Sequence, residues 1–169
     1  MATVYIQLPP QAWIPDATLP PQHNVVDGTN YPVAGINFDA ATVGGELVFA
    51  TFRAVNYGSG NLTVDIEWYA DTATSGDVVW GAAIAAITPN TDTQDIETDA
   101  LATEATVTGT HLGTTGQRLH RATITVSSID GIAADDYVTI RLRRLSDDAA
   151  DTMTGDAVMT MATVSYSDV

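Results

Sequence analysis

The chain contains no cysteine and no lysine, and of its seven prolines only Pro89 lies beyond residue 32. Without cysteine there is no disulfide staple, no thiolate metal site and no thiol nucleophile, and the redox compartment is left open. Without lysine there is no Schiff-base chemistry, and the only fixed cations are arginines. Six cations face 21 acidic residues, for a formal charge of −15. A phosphate-binding surface needs clustered cations, and only Arg141, Arg143 and Arg144 group together, so nucleic acid is excluded as an expected partner. The acidity itself is consistent with self-repulsion for solubility or with a salty medium. Met1 leads into Ala-Thr-Val-Tyr with no basic segment and no long apolar run, which predicts neither a signal peptide nor a membrane span and synthesis in the cytoplasm. At 169 residues a single core suffices, with no metal needed for folding.

Pro9, Pro10, Pro15, Pro20, Pro21 and Pro32 crowd the start of the chain. Proline fixes φ and lacks a backbone donor, so this stretch reads as an extended segment running along a surface. Trp13 and Ile14 are too apolar for a free tail and imply docking onto the chain's own domain or a neighbour. The expected organisation is an extended proline-rich N-terminal arm, residues 1–32, followed by an all-β domain, residues 33–169.

From Val33 onward, β-branched and aromatic runs alternate with Gly, Asp, Asn and Ser clusters, the punctuation of antiparallel β structure. About nine strands are expected, over 3–8, 33–38, 46–57, 62–70, 78–88, 103–108, 119–129, 137–145 and 157–166. Long connections between them favour a jelly-roll-like antiparallel β-sandwich over an immunoglobulin one. Leu62, Val64, Ile66 and Trp68 alternate with Thr63, Asp65, Glu67 and Tyr69, giving one core face and one wet face. Val138, Ile140 and Leu142 alternate likewise with Thr139, Arg141 and Arg143, whose cations are expected to pair across strands with Asp65 and Glu67.

The run 78–87 differs, because Val78, Trp80, Ala82, Ile84 and Ala86 share one face and Val79, Gly81, Ala83, Ala85 and Ile87 the other. Both faces are apolar. As a strand it needs cover on both sides, from the sandwich core and from either a subunit contact or the N-terminal arm; its alanines leave a helix as the alternative. Trp13, Ile14, Val79, Trp80, Ala83, Ala85 and Ile87 are therefore the expected interface residues of a homotrimer.

No catalytic constellation is present in the pattern. His23 lies among the prolines, His111 in a glycine-rich stretch and His120 between arginines, none beside a recognisable nucleophile or third metal ligand. Acidic loops containing Asp92, Asp95 and Asp99, or Asp147, Asp148, Asp151 and Asp156, offer oxygen ligands for calcium but lack the spacing of an EF-hand loop and read as solvated turns. No catalytic, cofactor-binding or metal residue is assigned.

Three segments carry a resemblance: 65–71 (DIEWYAD) with 76–80 (GDVVW), 110–114 (THLGT) running into 119–121 (LHR), and 151–157 (DTMTGDA). Together they resemble β-sandwich virion proteins of tailed bacteriophages. The resemblance implies a jelly-roll-like domain, often trimeric, on the outer capsid surface of the virion. There it would act as a cement or decoration protein bound to the major capsid protein. The alternative it implies is a receptor- or carbohydrate-binding module of a tail or fibre. Neither use calls for an enzyme, a cofactor, a membrane or nucleic acid.

Overall fold

In the computed structural model, which describes residues 2–169, the chain forms an antiparallel two-sheet β-sandwich. Its strands are β1 (Thr3–Leu8), β2 (Ile14–Pro15), β3 (Gln22–Asp27), β4 (Pro32–Phe38), β5 (Leu47–Arg53), β6 (Tyr57–Ala70), β7 (Asp77–Ile87), β8 (Ala105–Thr110), β9 (His120–Val126), β10 (Tyr137–Arg144) and β11 (Ala157–Asp168). One sheet runs β3-β4-β11-β6-β9, with β1 also paired to β11; the other runs β2-β5-β10-β7-β8. The expected fold class is the one observed, and 78–87 is a strand.

Alternation does the work the sequence suggested. Leu62, Val64, Ile66 and Trp68 of β6 and Val138, Ile140 and Leu142 of β10 are fully buried, while their polar neighbours line the outer faces. Trp68 and Trp80 meet across the sandwich with ring centroids 6.2 Å apart, and Phe38 packs edge-on against Trp80 at 5.2 Å. These rings tie the two sheets together at one end of the core.

Residues 2–32, expected as part of an extended arm, are instead built into both sheets. β1 pairs with β11 from Thr3↔Ser167 to Leu8↔Ala162, a short 3-10 turn follows at Pro10–Ala12, and β2 then pairs with β5 on the other sheet. β3 pairs with β4 across the expected boundary at 32/33, from Gln22↔Asn37 to Asp27↔Pro32. Pro10, Pro15 and Pro32 sit where a missing N–H costs nothing: in the first turn of the 3-10 segment, on the two-residue edge strand, and at the first residue of β4. Trp13 is 2% exposed, and its indole N–H donates to the Leu8 carbonyl at 3.2 Å. It is a core residue, whereas Ile14 beside it is exposed.

The outer face of β7 also finds its cover inside the chain. Val79, Ala83 and Ala85 are buried, and Trp80 lies on the core side, so none of these expected contact residues offers a free surface; Ile87 is half-buried. The segment 88–104 folds back over this face, where the Ala102 N–H donates to the Ile84 carbonyl at 2.8 Å. Its Glu104 carboxylate binds Arg141 at 2.6 Å and Arg143 at 2.7 Å. That places the carboxylate directly over Gly81, where an added Cβ would lie 2.8 Å from Glu104 Cδ. The arginines of β10 thus do not pair with Asp65 and Glu67, which belong to the other sheet. There Glu67 binds Arg121 of β9 at 2.6 Å, and Asp65 accepts a hydrogen bond from Thr123.

A candidate ligand-binding groove

Register places Asn37 of β4, Val158 of β11 and Tyr69 of β6 side by side on the outer face of the β3-β4-β11-β6-β9 sheet. Above this row stands the β3–β4 hairpin, which pairs with β11 only from Ile36 to Phe38 and is free to leave the sheet before that point. Gly28 permits its tight tip, since a Cβ there would lie 2.6 Å from the Tyr31 carbonyl oxygen. Gly35 permits its close approach to β11, where a Cβ would collide with Val158 at 2.4 Å. The result is a groove of about 520 Å³. Asn24, Val26, Tyr31 and Val33 form one wall; Asn37, Val158, Tyr69 and Thr160 lie on the floor; Asp71, Gln117 and Leu119 form the opposite side.

Its polar groups hold one another. Gln117 donates its side-chain amide to the Asp71 carbonyl, and the Asp71 carboxylate accepts from Thr72 Oγ1 and from the Asp156 N–H at 3.0 Å. Asp156 in turn accepts from Asn37 Nδ2 at 2.8 Å and from the Ala40 N–H at 3.2 Å. This fixes the orientation of the Asn37 amide, whose Oδ1 has no partner among the described residues. Burial, aided by the Asp71 charge, pushes the Tyr69 phenol above its ordinary range, so it remains a neutral donor. Tyr31, by contrast, is 70% exposed and presents its ring to solvent.

The wall at 117–119 rests on two imidazoles that sequence reading left without a role. His111 and His120 are buried with ring centroids 4.5 Å apart, and His120 stacks on Trp68 at 4.8 Å. The Gly113 N–H donates to His111 Nδ1 at 3.1 Å, and the Leu112 N–H donates to His120 Nε2 at 3.0 Å. His111 Nε2 donates in turn to the Gly116 carbonyl at 3.0 Å. Each ring therefore uses a lone pair as an acceptor. Burial, then the nearby His111 and Arg118, lowers the His120 pKa.

A folded-state pKa below the unfolded one means that stability is fully present above about pH 6.5 and is lost as pH falls through the folded value, because the unfolded chain takes up the proton first. Thermal unfolding between pH 7.5 and 5 should show a progressive loss of stability that is flattened in His120→Gln, which keeps an acceptor for Leu112. Equal pH dependence in both proteins would remove His120 from the account. Burial raises the Glu46 pKa, and that contribution has the opposite sign, so the difference between the two proteins is the informative quantity.

The acidic loops serve as turns and ties. Asp92, Asp95 and Asp99 accept from backbone N–H groups within their own segment, Asp147 from Gly44, Asp148 from Ala150, and Asp151 from Val79 and Arg144. Among the described residues no three acids or histidines converge as a metal would require. His23 Nε2 donates to the Trp13 carbonyl at 3.2 Å.

No protein-family model and no curated protein sequence matches the chain. Solved structures of similar architecture include a carbohydrate-binding module, CBM36, in complex with calcium and xylotriose (TM-score 0.49, 10% identity, covering 93% of this chain and 97% of that one). Two others are a family 11 carbohydrate-binding module from Clostridium thermocellum (TM-score 0.49, 9% identity, 95% and 94% covered) and the mannan-recognising module TmCBM27 (TM-score 0.46, 9% identity, 99% of each). The chain is similar to these in its two-sheet architecture. At such identities the side chains of the groove are its own.

Proposed function

We propose that the protein is a non-catalytic carbohydrate-binding module whose binding surface is the groove between the β3–β4 hairpin and the 117–119 wall. The observation that carries this reading is the combination of Tyr31 and Tyr69 with fixed amide and carboxylate groups in one groove. A pyranose ring has an apolar C–H face that packs on an aromatic ring and a rim of hydroxyls, each both donor and acceptor. Tyrosine supplies rigid amphipathic area, while preorganised amides and carboxylates accept and donate to the hydroxyls without new ordering cost. The lining contains no arginine or histidine, and Asp71 contributes negative charge, so the reading specifies a neutral glycan over an anionic one.

Asp71 and Asp156 are not arranged as an acid and base pair for glycoside hydrolysis. Both Asp156 oxygens are engaged, by Asn37 and the Ala40 N–H, and Asp71 Oδ1 by Thr72 and the Asp156 N–H, which suits a scaffold for recognition. The capsid-cement reading came with the sequence resemblance and drew on a docked arm and a two-sided apolar strand, and both pack within the chain. Placement on a phage tail or fibre rests on the sequence resemblance alone.

A panel of neutral oligosaccharides, read by calorimetry, tests the proposal. Tyr31→Ala should leave the fold intact, since the ring is exposed, and weaken binding about ten- to thirty-fold, the effect of losing one principal contact. An absence of binding across the panel, or binding indifferent to Tyr31→Ala, would overturn the reading.

A further inference from the structure

The two outer faces of the sandwich differ. That of the β2-β5-β10-β7-β8 sheet is roofed by residues 88–104 over β7, whereas the other remains open beyond the groove, with Thr63, Asp65, Thr163 and Ser165 half-exposed and Gln7, Thr123 and Thr125 exposed. Register sets these residues in rows: Asp65, Thr163 and Gln7 form one, and Thr63, Ser165 and Tyr5 the next. Every position named is polar, and the single ring among them, Tyr5, is 68% exposed. A bare polar sheet face is ordinary in an antiparallel sandwich; a lone solvent-facing aromatic at the end of a track that begins in the groove is a second platform.

We infer that the ligand is a glycan chain rather than a single sugar, and that it runs from the groove along this face to a second stacking contact at Tyr5. The inference rests on the carbohydrate reading of the groove. Tyr69 and Thr63 lie six residues apart on β6, roughly 20 Å along the strand, and Tyr5 lies two strands over, roughly 10 Å to the side. That span exceeds a mono- or disaccharide and suits a short run of linked sugars. Irregularities in β11 between Met159 and Met161 and between Ser165 and Ser167 bend the strand across which the chain would lie. Between the two platforms the track first crosses the Glu67–Arg121 ion pair, and beyond it the hydroxyls of Thr163, Ser165 and Thr63 and the amide of Gln7 supply donors and acceptors.

The test is a length series, from disaccharide to hexasaccharide, of whichever neutral glycan binds best in the panel, titrated against wild type, Tyr5→Ala and Tyr31→Ala. Wild-type affinity should rise with length, and Tyr5→Ala should reduce the hexasaccharide-to-disaccharide affinity ratio about tenfold. Tyr31→Ala should weaken every length. Affinity flat beyond the disaccharide, or a ratio unchanged in Tyr5→Ala, overturns the extended track while leaving the groove reading in place. Loss of the groove reading itself would appear as no binding at any length, or as binding unmoved by Tyr31→Ala, and the inference falls with it. Unchanged thermal unfolding of the Tyr5 variant separates a lost contact from a damaged fold.

Discussion

Arg144→Ala is expected to destabilise the fold by about 3–5 kcal/mol, the cost of stripping one partner from a buried ion pair. Arg144 is fully buried, and all its N–H groups are spent. Nε and Nη2 engage the two Asp151 oxygens at 3.0 and 2.7 Å, Nη2 also reaches the Met153 carbonyl at 2.7 Å, and Nη1 reaches the carbonyls of Gly155 at 2.9 Å and Phe38 at 3.4 Å. One side chain thus ties β4, β10 and the 151–155 loop at a single end of the sandwich. For a domain of this size the loss corresponds to a melting temperature lower by roughly 6–20 °C. A buried ion pair is often replaceable by apolar residues of similar volume, but here the exchange should fail. In Arg144→Leu with Asp151→Leu, the carbonyls of Met153 and Gly155 lose their donor and the Val79 N–H loses its acceptor, so the double variant should remain well below wild type. A double variant as stable as wild type would show that the network contributes specificity at most. Because Asp156 closes the same loop and holds Asn37, any binding at the proposed glycan groove should weaken along with stability.

The inward position of Arg144 is legible in the sequence. The alternation that put Val138, Ile140 and Leu142 inward puts residue 144 inward as well; the neighbouring arginines suggested a solvated cationic face and masked the parity. Strand periodicity is local, so β6, β7 and β10 could be read directly. What covers a strand is not local. The apolar outer face of β7 announced the need for a cover, but the cover was segment 88–104, whose Thr and Asp composition reads as an exposed loop and whose anchor, Glu104, is a single acidic residue. The groove was hidden for a related reason. Tyr69 and Asn37 come from distant parts of the chain and meet only through register across β11, Gln117 joins them from the loop before β9, and the hairpin signal of Val25-Val26-Asp27-Gly28 in β3 is masked by the prolines before it. The histidine pair could not be foreseen from spacing, since its partners are backbone N–H groups.

Removing residues 2–15 is expected to abolish cooperative folding, the opposite of what a detachable arm would show. The truncation takes away Trp13 and Leu8, both in the core, along with the six-residue ladder of β1 on β11. Substituting alanine for a buried tryptophan costs about 3–5 kcal/mol and for a buried leucine about 2–5 kcal/mol, so these two side chains alone account for about 5–10 kcal/mol. A domain has only about 5–15 kcal/mol in total. The truncation also bares β11 along Ala162–Ser167, exposing unpaired N–H and carbonyl groups, and an uncovered edge of that kind recruits other chains. The expected product is therefore insoluble or lacks a sharp thermal transition. Trp13→Ala in the full chain keeps the ladder, so it should fold and melt lower by an amount matching about 3–5 kcal/mol, which separates the contribution of the ring from that of the strand. A truncated chain that remains soluble and melts near the wild-type temperature would show that β1 and Trp13 decorate a core complete without them, and that the first segment is the separable arm its prolines suggest.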